Sequence, residues 1–282
     1  MSSEMRRLRI SAISYLNTAP LMWDFEHGES RERLREQFDV TYTIPSACAA
    51  ALREGTADIG IIPVAAYATI PGLAILPGVA IAALNAVRSI LLVSRKRLDA
   101  VKTVALDTSS MTSVALCKVL LAKWLGGARE YWPMAPNLET MLTSCDAALL
   151  IGDPALLIQR ASYTTVIDLA EEWHKHTGKP FVFAFWAARR EAMAESGSAA
   201  DAIARLAEVF QRSRDHGLAT ESIQSIAAEW APRLELRVDE VTSYLRVNIH
   251  YFLDQPCREG LRLFYDSAQE LGVLPATKFS AN

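Results

Sequence analysis

Short apolar runs alternate with amphipathic segments through the first half of the chain. Each run is followed by a few small polar residues and then by apolar positions at helical spacing, as with Val114, Cys117 and Leu121. This order is typical of βα units in a mainly parallel sheet. The pattern predicts an α/β fold with buried strands at Arg9 to Ser14, Ala57 to Ile62, Thr103 to Leu106 and Ala147 to Ile151.

Two longer apolar runs, Val87 to Val93 and Phe181 to Ala188, stand outside these units. We interpret them as strands that cross between two lobes, so that the chain leaves the first lobe near Ser89 and returns near Ala184. The remainder, from about residue 198 to residue 274, shows helical spacing throughout. The predicted lobes comprise residues 1–88 with 185–282, which include a helical C-terminal tail, and residues 89–184.

The composition removes several classes of function. The 282 residues are 51% hydrophobic and 22% charged, so the chain can bury a large core, and its net charge of −3 gives no general attraction to nucleic acid. Charged residues, prolines or other polar residues interrupt every apolar run before the length of about 18 residues that spans a bilayer, so no membrane partner is expected. The first nine residues are not followed by a signal-peptide core, so a cytoplasmic location is expected.

Metal and disulfide chemistry are not indicated. The four cysteines lie far apart and form no Cys-x-x-Cys pair, and His174-x-His176 has no nearby ligand pair to complete a metal shell. Phosphate-binding glycine loops and a Gly-x-Ser-x-Gly elbow are also missing. The sequence therefore predicts no metal site, and it indicates no oligomeric state.

Polar turns at the carboxyl ends of the predicted strands form the candidate site. This edge of an open parallel sheet collects ligands, because turns and helix N-termini present backbone N–H groups there. The richest turn carries five hydroxyl side chains at the start of a helix, where an anion is favoured. Alternatively, Ser109 or Ser110 only caps the helix and the other hydroxyls are exposed. The hydroxyl residues predicted to bind a carboxylate are Ser109, Ser110, Thr112 and Ser113.

Three further side chains suit a ligand but have structural alternatives. Asn17 offers one acceptor and two donors, and it also fits a turn in which it bonds its own backbone. Ser89 lies in an apolar run, where its hydroxyl needs either a backbone or a ligand partner. Asp153 follows Gly152 at a strand end and suits a general acid or base, a ligand-hydroxyl acceptor or a helix cap. Arg88 is left out of the site, because strand alternation places it opposite to Ser89.

Six blocks of sequence occur in an order that carries a family resemblance. They are Tyr15-Leu16-Asn17-Thr18-Ala19-Pro20-Leu21, Gly55-x-x-Asp58-Ile59-Gly60-Ile61-Ile62-Pro63-Val64, Val87-Arg88-Ser89-Ile90-x-Leu92-x-Ser94, Leu106-Asp107-x-x-Ser110-x-Thr112-Ser113, Ile151-Gly152-Asp153-x-Ala155 and Asp168-Leu169-x-x-x-Trp173-x-x-x-Thr177-Gly178-x-Pro180-Phe181-Val182-Phe183-Ala184-x-Trp186. Together they resemble the chorismate dehydratase family of the futalosine route to menaquinone. The resemblance covers about residues 10 to 189 and, more loosely, the helical tail. One departure is Leu84-Asn85-Ala86, where the family commonly has a glycine.

The resemblance implies a two-lobed fold of the periplasmic-binding-protein type (type 2), with mixed sheets flanked by helices and a ligand cleft between the lobes. It also implies that chorismate loses water to give 3-[(1-carboxyvinyl)oxy]benzoate, with no metal and no organic cofactor. The functional Asn and Ser of the family correspond to Asn17 and Ser89. Tyr15, Gly152 and Thr177 join the predicted substrate-binding residues on the same ground.

The mechanism that the resemblance implies requires few catalytic groups from the protein. Loss of a ring proton and the adjacent hydroxyl makes the ring aromatic, and the substrate's own enolpyruvyl carboxylate can be the base if the cleft orients it. Asn17 and Ser89 would fix the carboxylate and the ring, and Asp153 would assist departure of the hydroxyl. Two alternatives stay open: a non-catalytic solute-binding protein, and the related dihydroxynaphthoate synthase, whose typical Ser-Pro-Cys-Pro-Asn-Asp opening is replaced by Tyr15-Leu16-Asn17.

Overall fold

Two mixed β-sheets of five strands each form the two halves of the molecule. The computed structural model describes residues 6–194, 198–277 and 279. The predicted α/β class with mixed sheets is confirmed. Within the described residues the strands are β1 (Leu8–Ile13), β2 (Phe38–Thr43), β3 (Ile59–Pro63), β4 (Leu73–Ala83), β5 (Ile90–Ser94), β6 (Thr103–Asp107), β7 (Glu130–Met134), β8 (Ala147–Ile151), β9 (Thr165–Asp168) and β10 (Phe181–Arg189).

Helices flank both sheets. Across the described part of the chain, no helix is both long enough and apolar enough to cross a membrane. The α-helices are α1 (Trp23–Glu26), α2 (Ser30–Gln37), α3 (Pro45–Glu54), α4 (Val64–Tyr67), α5 (Thr112–Lys123), α6 (Leu138–Ser144), α7 (Asp153–Leu156), α8 (Leu169–Thr177), α9 (Arg190–Ala194), α10 (Ala199–Gly217), α11 (Thr220–Arg233), α12 (Val238–Ser243) and α13 (Gln255–Glu270). A 3₁₀ turn at Leu16–Met22 and a π-helix at Tyr244–Asn248 also matter below.

The first sheet has the strand order β2-β1-β3-β10-β4. Strand β1 is parallel to β2 and β3, whereas β10 is antiparallel to β3 and β4. All of β3 and all but the last residue of β10 are buried. Helices cover both faces of these strands, as where Phe210 of α10 lies 4.4 Å from Trp186 of β10 between ring centroids. This two-sided burial explains why both strands are continuous apolar runs.

The second sheet has the strand order β7-β6-β8-β5-β9. Strand β6 is parallel to β7 and β8, and β5 is antiparallel to β8 and β9. Each half therefore contains a parallel set with ligand-facing carboxyl ends and one antiparallel strand that connects to the other half.

The chain crosses between the sheets twice, through residues 84–89 and residues 178–180. The first crossing ends at Ser89, directly before β5 begins at Ile90, and the predicted lobe bounds stay a prediction. The second crossing differs from the prediction near Ala184, because Phe181 already pairs with β4 of the first sheet. Gly178 ends α8 in the left-handed conformation, with φ of 66°, and reverses the chain before that point.

The last helix, α13, contacts both halves. The Tyr265 hydroxyl donates to a carbonyl of α4 over 2.7 Å, in the first half. Glu270 pairs with Lys123 of α5, in the second half. At Gly260 the helix backbone lies so near the second crossing that a Cβ atom would be 2.1 Å from the Pro180 carbonyl oxygen. The helix therefore covers the return crossing directly.

Candidate active site

A narrow cavity lies between the halves, where the carboxyl ends of β1, β3 and β8 meet the turn after β6. Its volume is about 50 Å³, enough for only a few water molecules. A ring-sized ligand therefore requires the halves to separate. The lining residues are Ile13, Tyr15, Asn17, Pro45, Pro63, Ile81, Ser89, Ile90, Ser110, Thr112, Ser113, Ile151, Gly152, Phe183 and Ala184.

Most of the predicted site residues converge on this cavity although they are distant in sequence. Two come from the turn after β1, one from the first crossing, and four from the turns after β6 and β8. Their roles in binding or catalysis stay predictions. The residues that line the cavity are Tyr15, Asn17, Ser89, Ser110, Thr112, Ser113 and Gly152, whereas Ser109, Asp153 and Thr177 do not.

Ser89 is fully buried and has a side-chain partner that sequence reasoning missed. Its Oγ accepts a hydrogen bond from the Tyr244 hydroxyl over 2.9 Å. Its carbonyl accepts the N–H of Gly152 over 2.8 Å, which joins the crossing to the end of β8. Tyr244 belongs to the helical tail and to no recognisable motif, so no sequence signal pointed to it.

Asn17 lies in the 3₁₀ turn after β1 and is half-buried. Its Oδ1 accepts from the Thr18 hydroxyl over 3.3 Å, a contact between side chains and not the predicted bond to its own backbone. The side chain also lies beside Tyr244: burial raises the pKa of that phenol, while the neighbouring Ser89 and Asn17 side chains oppose the shift. Asn17 and Ser89 are thus both neighbours of the Tyr244 hydroxyl.

The hydroxyl cluster divides into capping and bridging roles. Helix α5 begins at Thr112, and Ser110 Oγ accepts the N–H of Ser113 in its first turn over 3.2 Å. Thr112 Oγ1 accepts the N–H of Ala65 over 3.2 Å and donates to the Phe183 carbonyl over 3.0 Å. Both partners of Thr112 belong to the first half, so this side chain joins the halves at the cavity wall.

Ser109 was predicted to bind the ligand, but the structure places it behind the cavity wall. Its N–H and Oγ donate to the same carboxylate oxygen of Asp107, over 2.8 and 2.5 Å. Asp107 is completely buried, and burial raises the pKa of its carboxyl. A buried carboxyl group needs nearby donors, and Ser109 supplies two of them.

Tyr15 and Gly152 form a close contact across the two halves. Gly152 has φ of 68°, and a Cβ atom there would lie 2.6 Å from a ring carbon of Tyr15. The Tyr15 hydroxyl reaches Ser109 Oγ over 3.5 Å, a long hydrogen bond. Burial raises the pKa of Tyr15. The glycine therefore lets the tyrosine ring pack directly on the backbone of the second half.

Asp153 lies beside the cavity and connects the halves. It is the first residue of α7, and its two carboxylate oxygens lie 3.1 and 3.3 Å from the Leu16 N–H of the first half. Burial raises the pKa of Asp153 to about 6, although the bond from Leu16 opposes the shift. A carboxyl group with this pKa keeps its proton up to a pH well above the range in which aspartate usually ionises. The predicted catalytic role of Asp153 stays a prediction.

The unfolding free energy of the wild-type protein should fall, relative to that of Asp153→Asn, as the pH rises from about 4 to about 6. The folded protein binds the extra proton in this window, because the pKa of about 6 exceeds the ordinary value of 3.8. Over this pH window, the difference in unfolding free energy between the wild type and Asp153→Asn should change by about 3 kcal/mol. The amide can still accept from Leu16. Urea unfolding at several pH values measures the effect.

Asp146→Asn provides the control for this titration. Hydrogen bonds from Lys96 and backbone N–H groups lower the pKa of Asp146 to about 2, so the folded protein keeps this group ionised throughout the window. A wild-type curve parallel to that of Asp153→Asn between pH 4 and pH 7 would contradict the assignment.

Thr177 lies at the end of α8 and not at the cavity. Its Oγ1 donates to the Trp173 carbonyl over 2.7 Å and accepts the N–H of Lys179 over 3.2 Å. These bonds stabilise the helix end and the turn that leads to β10. The Thr-Gly-x-Pro part of the sixth block therefore has a structural explanation, and the predicted substrate contact of Thr177 has no geometric support.

None of the described residues that line the cavity is Asp, Glu, Lys, Arg or His. Neutral hydroxyl, amide and backbone groups, with the N-terminus of α5, must therefore hold any anion. Arg88 also stays outside the lining, but the predicted reason was wrong. It precedes β5 and has φ of 62°, so strand alternation does not apply to it.

A wider groove of about 720 Å³ lies on the other side of Tyr15, between β2 and α11. It shares Ile13 and Tyr15 with the narrow cavity but contains none of the other predicted site residues. We place the candidate active site in the narrow cavity, because residues from four separate turns meet only there among the described residues.

One group of side chains in the described residues has the spacing of metal ligands. Atoms of His250, Asp254 and Cys257 lie within 4.8 Å of one another. Asp254 accepts the N–H of Cys257 over 3.0 Å as the cap of α13, and it lies 2.7 Å from His250 Nε2. Burial raises the pKa of Cys257, so its thiol keeps the proton. Helix capping explains this group, and we assign no metal to it.

Comparisons with known proteins relate the whole chain to one group of sequences. A family described as menaquinone biosynthesis matches residues 8–270. A chorismate dehydratase from Thermus thermophilus is 32% identical over 294 residues, which cover 98% of this chain and 99% of that protein. A chorismate dehydratase from Campylobacter jejuni is 32% identical over 79 residues, which cover 28% of this chain and 35% of that protein.

Solved structures with low sequence identity share the two-lobed architecture. A protein from Archaeoglobus fulgidus superposes with a TM-score of 0.69 at 15% identity, covering 96% of this chain and 100% of that one. The periplasmic aliphatic sulphonate binding protein from Escherichia coli superposes with a TM-score of 0.65 at 18% identity, covering 98% and 90%. The predicted periplasmic-binding-protein fold is therefore confirmed, and these two likenesses concern the fold alone.

Proposed function

Because the chain belongs to the menaquinone biosynthesis family, we propose that it is a lyase that removes water from chorismate to give 3-[(1-carboxyvinyl)oxy]benzoate. The proposal is supported by the Thermus thermophilus chorismate dehydratase, which matches this chain over almost the full length of both proteins. We also propose that the reaction serves the futalosine route and takes place in the cytoplasm. The family match does not favour a solute-binding protein or a dihydroxynaphthoate synthase.

The absence of Asp, Glu, Lys, Arg and His from the described cavity lining carries the mechanistic part of the proposal. Proton abstraction needs a base within hydrogen-bond reach of the proton. The nearby carboxyls are those of Asp107, which is bound by Ser109, and Asp153, which contacts Leu16. A substrate that brings its own carboxylate needs no base from the cavity wall. Chorismate has such a group in its enolpyruvyl arm.

The reaction requires one proton transfer and the breaking of one carbon–oxygen bond. The enolpyruvyl carboxylate takes the proton from the ring carbon next to the hydroxyl-bearing carbon. The electron pair of that C–H bond becomes part of the aromatic ring, and the hydroxyl leaves with a proton as water. Aromatisation supplies the driving force, so the protein mainly orients the carboxylate and excludes bulk water.

Neutral hydrogen-bond donors of the cavity wall bind the two carboxylates of the substrate. The Asn17 amide and the Ser89 hydroxyl hold the enolpyruvyl carboxylate over the ring proton. The N-terminus of α5, with Ser110 and Ser113, binds the second carboxylate. Asp153, whose pKa burial raises to about 6, is a suitable proton donor to the leaving hydroxyl. The roles of Asn17, Ser89 and the serines of the α5 turn follow from their donor groups and their positions in the cavity lining, whereas Asp153 lies beside the cavity.

The purified protein should convert chorismate into an aromatic product, seen as a new ultraviolet band and a mass lower by one water molecule. Chorismate whose enolpyruvyl carboxylate is a primary amide should bind but remain unconverted, because an amide is too weak a base. The matched control has the amide on the ring carboxylate and should still react. Unchanged chorismate would refute the function, whereas reaction of the enolpyruvyl amide would refute only the substrate-base mechanism.

A further inference from the structure

The Tyr244 hydroxyl connects the C-terminal tail to the candidate site. It lies 2.9 Å from Ser89 Oγ, and the two residues are 1% and 0% exposed. Burial raises the pKa of the same phenol, and the Asn17 side chain that lies beside it opposes this shift. One phenol group therefore bonds Ser89 and lies beside Asn17, the two side chains to which the proposed function gives the main orienting roles.

Contacts that follow Tyr244 in the chain hold this part of the tail against the first crossing. Tyr244 begins a π-helix, an uncommon conformation that is frequent at functional sites. Asn248, the last residue of that helix, donates from Nδ2 to the Ala86 carbonyl over 3.0 Å. His250 and Ala82 exchange two backbone hydrogen bonds, of 2.8 and 2.9 Å. The tail thus runs antiparallel to the crossing, with Tyr244 opposite Ser89.

The other side of the crossing is held by Asp168, which is 2% exposed. Its carboxylate oxygens accept the N–H groups of Val87 and Arg88 over 3.2 and 2.6 Å. Arg88 has φ of 62°, a conformation that costs energy for a residue with a Cβ atom. The crossing is therefore kept in one strained shape from two sides, and Ser89 follows directly after the strained residue.

A second buried tyrosine lies close to Tyr244 in the chain. Tyr251 is 2% exposed, and its hydroxyl has no hydrogen-bond partner among the described residues. The Tyr244 hydroxyl, in contrast, bonds Ser89, a residue of the cavity wall. The bond can therefore orient a side chain that faces the cavity.

We propose that Tyr244 is a positioning residue for the dehydration, because its hydroxyl holds Ser89 Oγ in the orientation that turns the serine proton toward the substrate. This inference rests on the proposed function. When Tyr244 donates to Ser89, it occupies a lone pair of the serine oxygen, so the serine proton is available to bind the substrate. Linked hydrogen bonds polarise one another, so the held serine is also a stronger donor.

Tyr244→Phe is expected to lower kcat for chorismate by about 10- to 100-fold, with KM changed by less than about threefold. The substitution keeps the ring and its packing, so the unfolding temperature should stay close to that of the wild type. Tyr251→Phe is the matched control, since it removes the same atom from a neighbouring buried tyrosine whose hydroxyl has no hydrogen-bond partner among the described residues. Its kcat should equal that of the wild type.

A double substitution separates positioning from a general structural effect. In a Ser89→Ala background, Tyr244→Phe should lower kcat by less than about twofold more, because Tyr244 acts through Ser89. Equal factors in both backgrounds, or a fully active Tyr244→Phe beside an active wild type, would overturn this role alone. A wild-type protein that leaves chorismate unconverted would refute the dehydration, and the role of Tyr244 with it.

Discussion

Replacing Asn17 by Ala should lower kcat for chorismate by about 100- to 1,000-fold while the fold remains intact. Asn17 supplies a neutral donor to a cavity whose described lining contains no charged side chain, so no cation there can take its place. Outside the site, its side chain contacts only the neighbouring Thr18 hydroxyl among the described hydrogen bonds, and little stability depends on it. Steady-state kinetics and thermal unfolding followed by circular dichroism measure the two effects.

Asn85→Ala controls for the change from Asn to Ala itself. Asn85 is exposed in the first crossing and does not line the cavity, so its replacement should leave kcat unchanged. If Asn17→Ala turned over chorismate at the wild-type rate, Asn17 would have no part in orienting the substrate. A large fall in its unfolding temperature would instead indicate a structural role.

Gly152→Ala should reduce kcat/KM by at least about 100-fold, since misplacement of about 1 Å in an active site has effects of this size. Gly152 has φ of 68° and ψ of −150°, a region that is essentially restricted to glycine. Its added methyl group would lie 2.6 to 2.9 Å from atoms of the Tyr15 ring in the other half. The halves therefore could not close fully on a substrate, and KM should rise as kcat falls.

Gly178→Ala is the control for backbone strain without the steric conflict. Gly178 has φ of 66°, and no atom lies within 4 Å of the position of an added Cβ. This substitution should cost about 1 kcal/mol of stability and leave kcat/KM unchanged. Full activity of Gly152→Ala would mean that the closed arrangement of Tyr15 and Gly152 is not the one in which the reaction takes place.

Asn17 and the serines of the α5 turn show how far sequence reasoning reaches into the site. The alternation of strands and polar turns is enough to place these residues at the carboxyl ends of strands, and open sheets bring those ends together. The resemblance to a family then distinguishes Asn17 and Ser89 from ordinary turn residues. Local pattern and family resemblance therefore identify the polar side chains of the cavity wall but not its apolar residues.

Ser109, Thr177 and Tyr244 show where such reasoning stops. Ser109 and Thr177 are polar residues in turns that belong to the six blocks. The Ser109 hydroxyl, however, donates to a buried carboxyl group, and the Thr177 hydroxyl donates to a carbonyl at a helix end. Tyr244 is spaced like any core residue of a helix, and its partner lies 155 residues away. Which hydroxyl faces the cavity depends on long-range packing, which local spacing does not encode.

The crossings between the halves were located less well than the strands themselves. Strand β10 is apolar up to its last residue, Arg189, so its sequence does not reveal which residues pair with which sheet. The left-handed conformation of Arg88 cannot be predicted from the sequence either, because no glycine marks it. The hydrogen bond from its N–H to Asp168 stabilises it. Both features are set by neighbours that are remote in sequence.

Both crossings are supported by residues of the C-terminal part of the chain, which the ribosome makes last. The last strand of either sheet ends at Arg189, whereas Tyr244 and Gly260, which support the crossings, come more than fifty residues later. On the ribosome, where the N-terminal part emerges first, every strand is available before those supports exist. A chain released between these points would contain all ten strands and lack the group that holds Ser89.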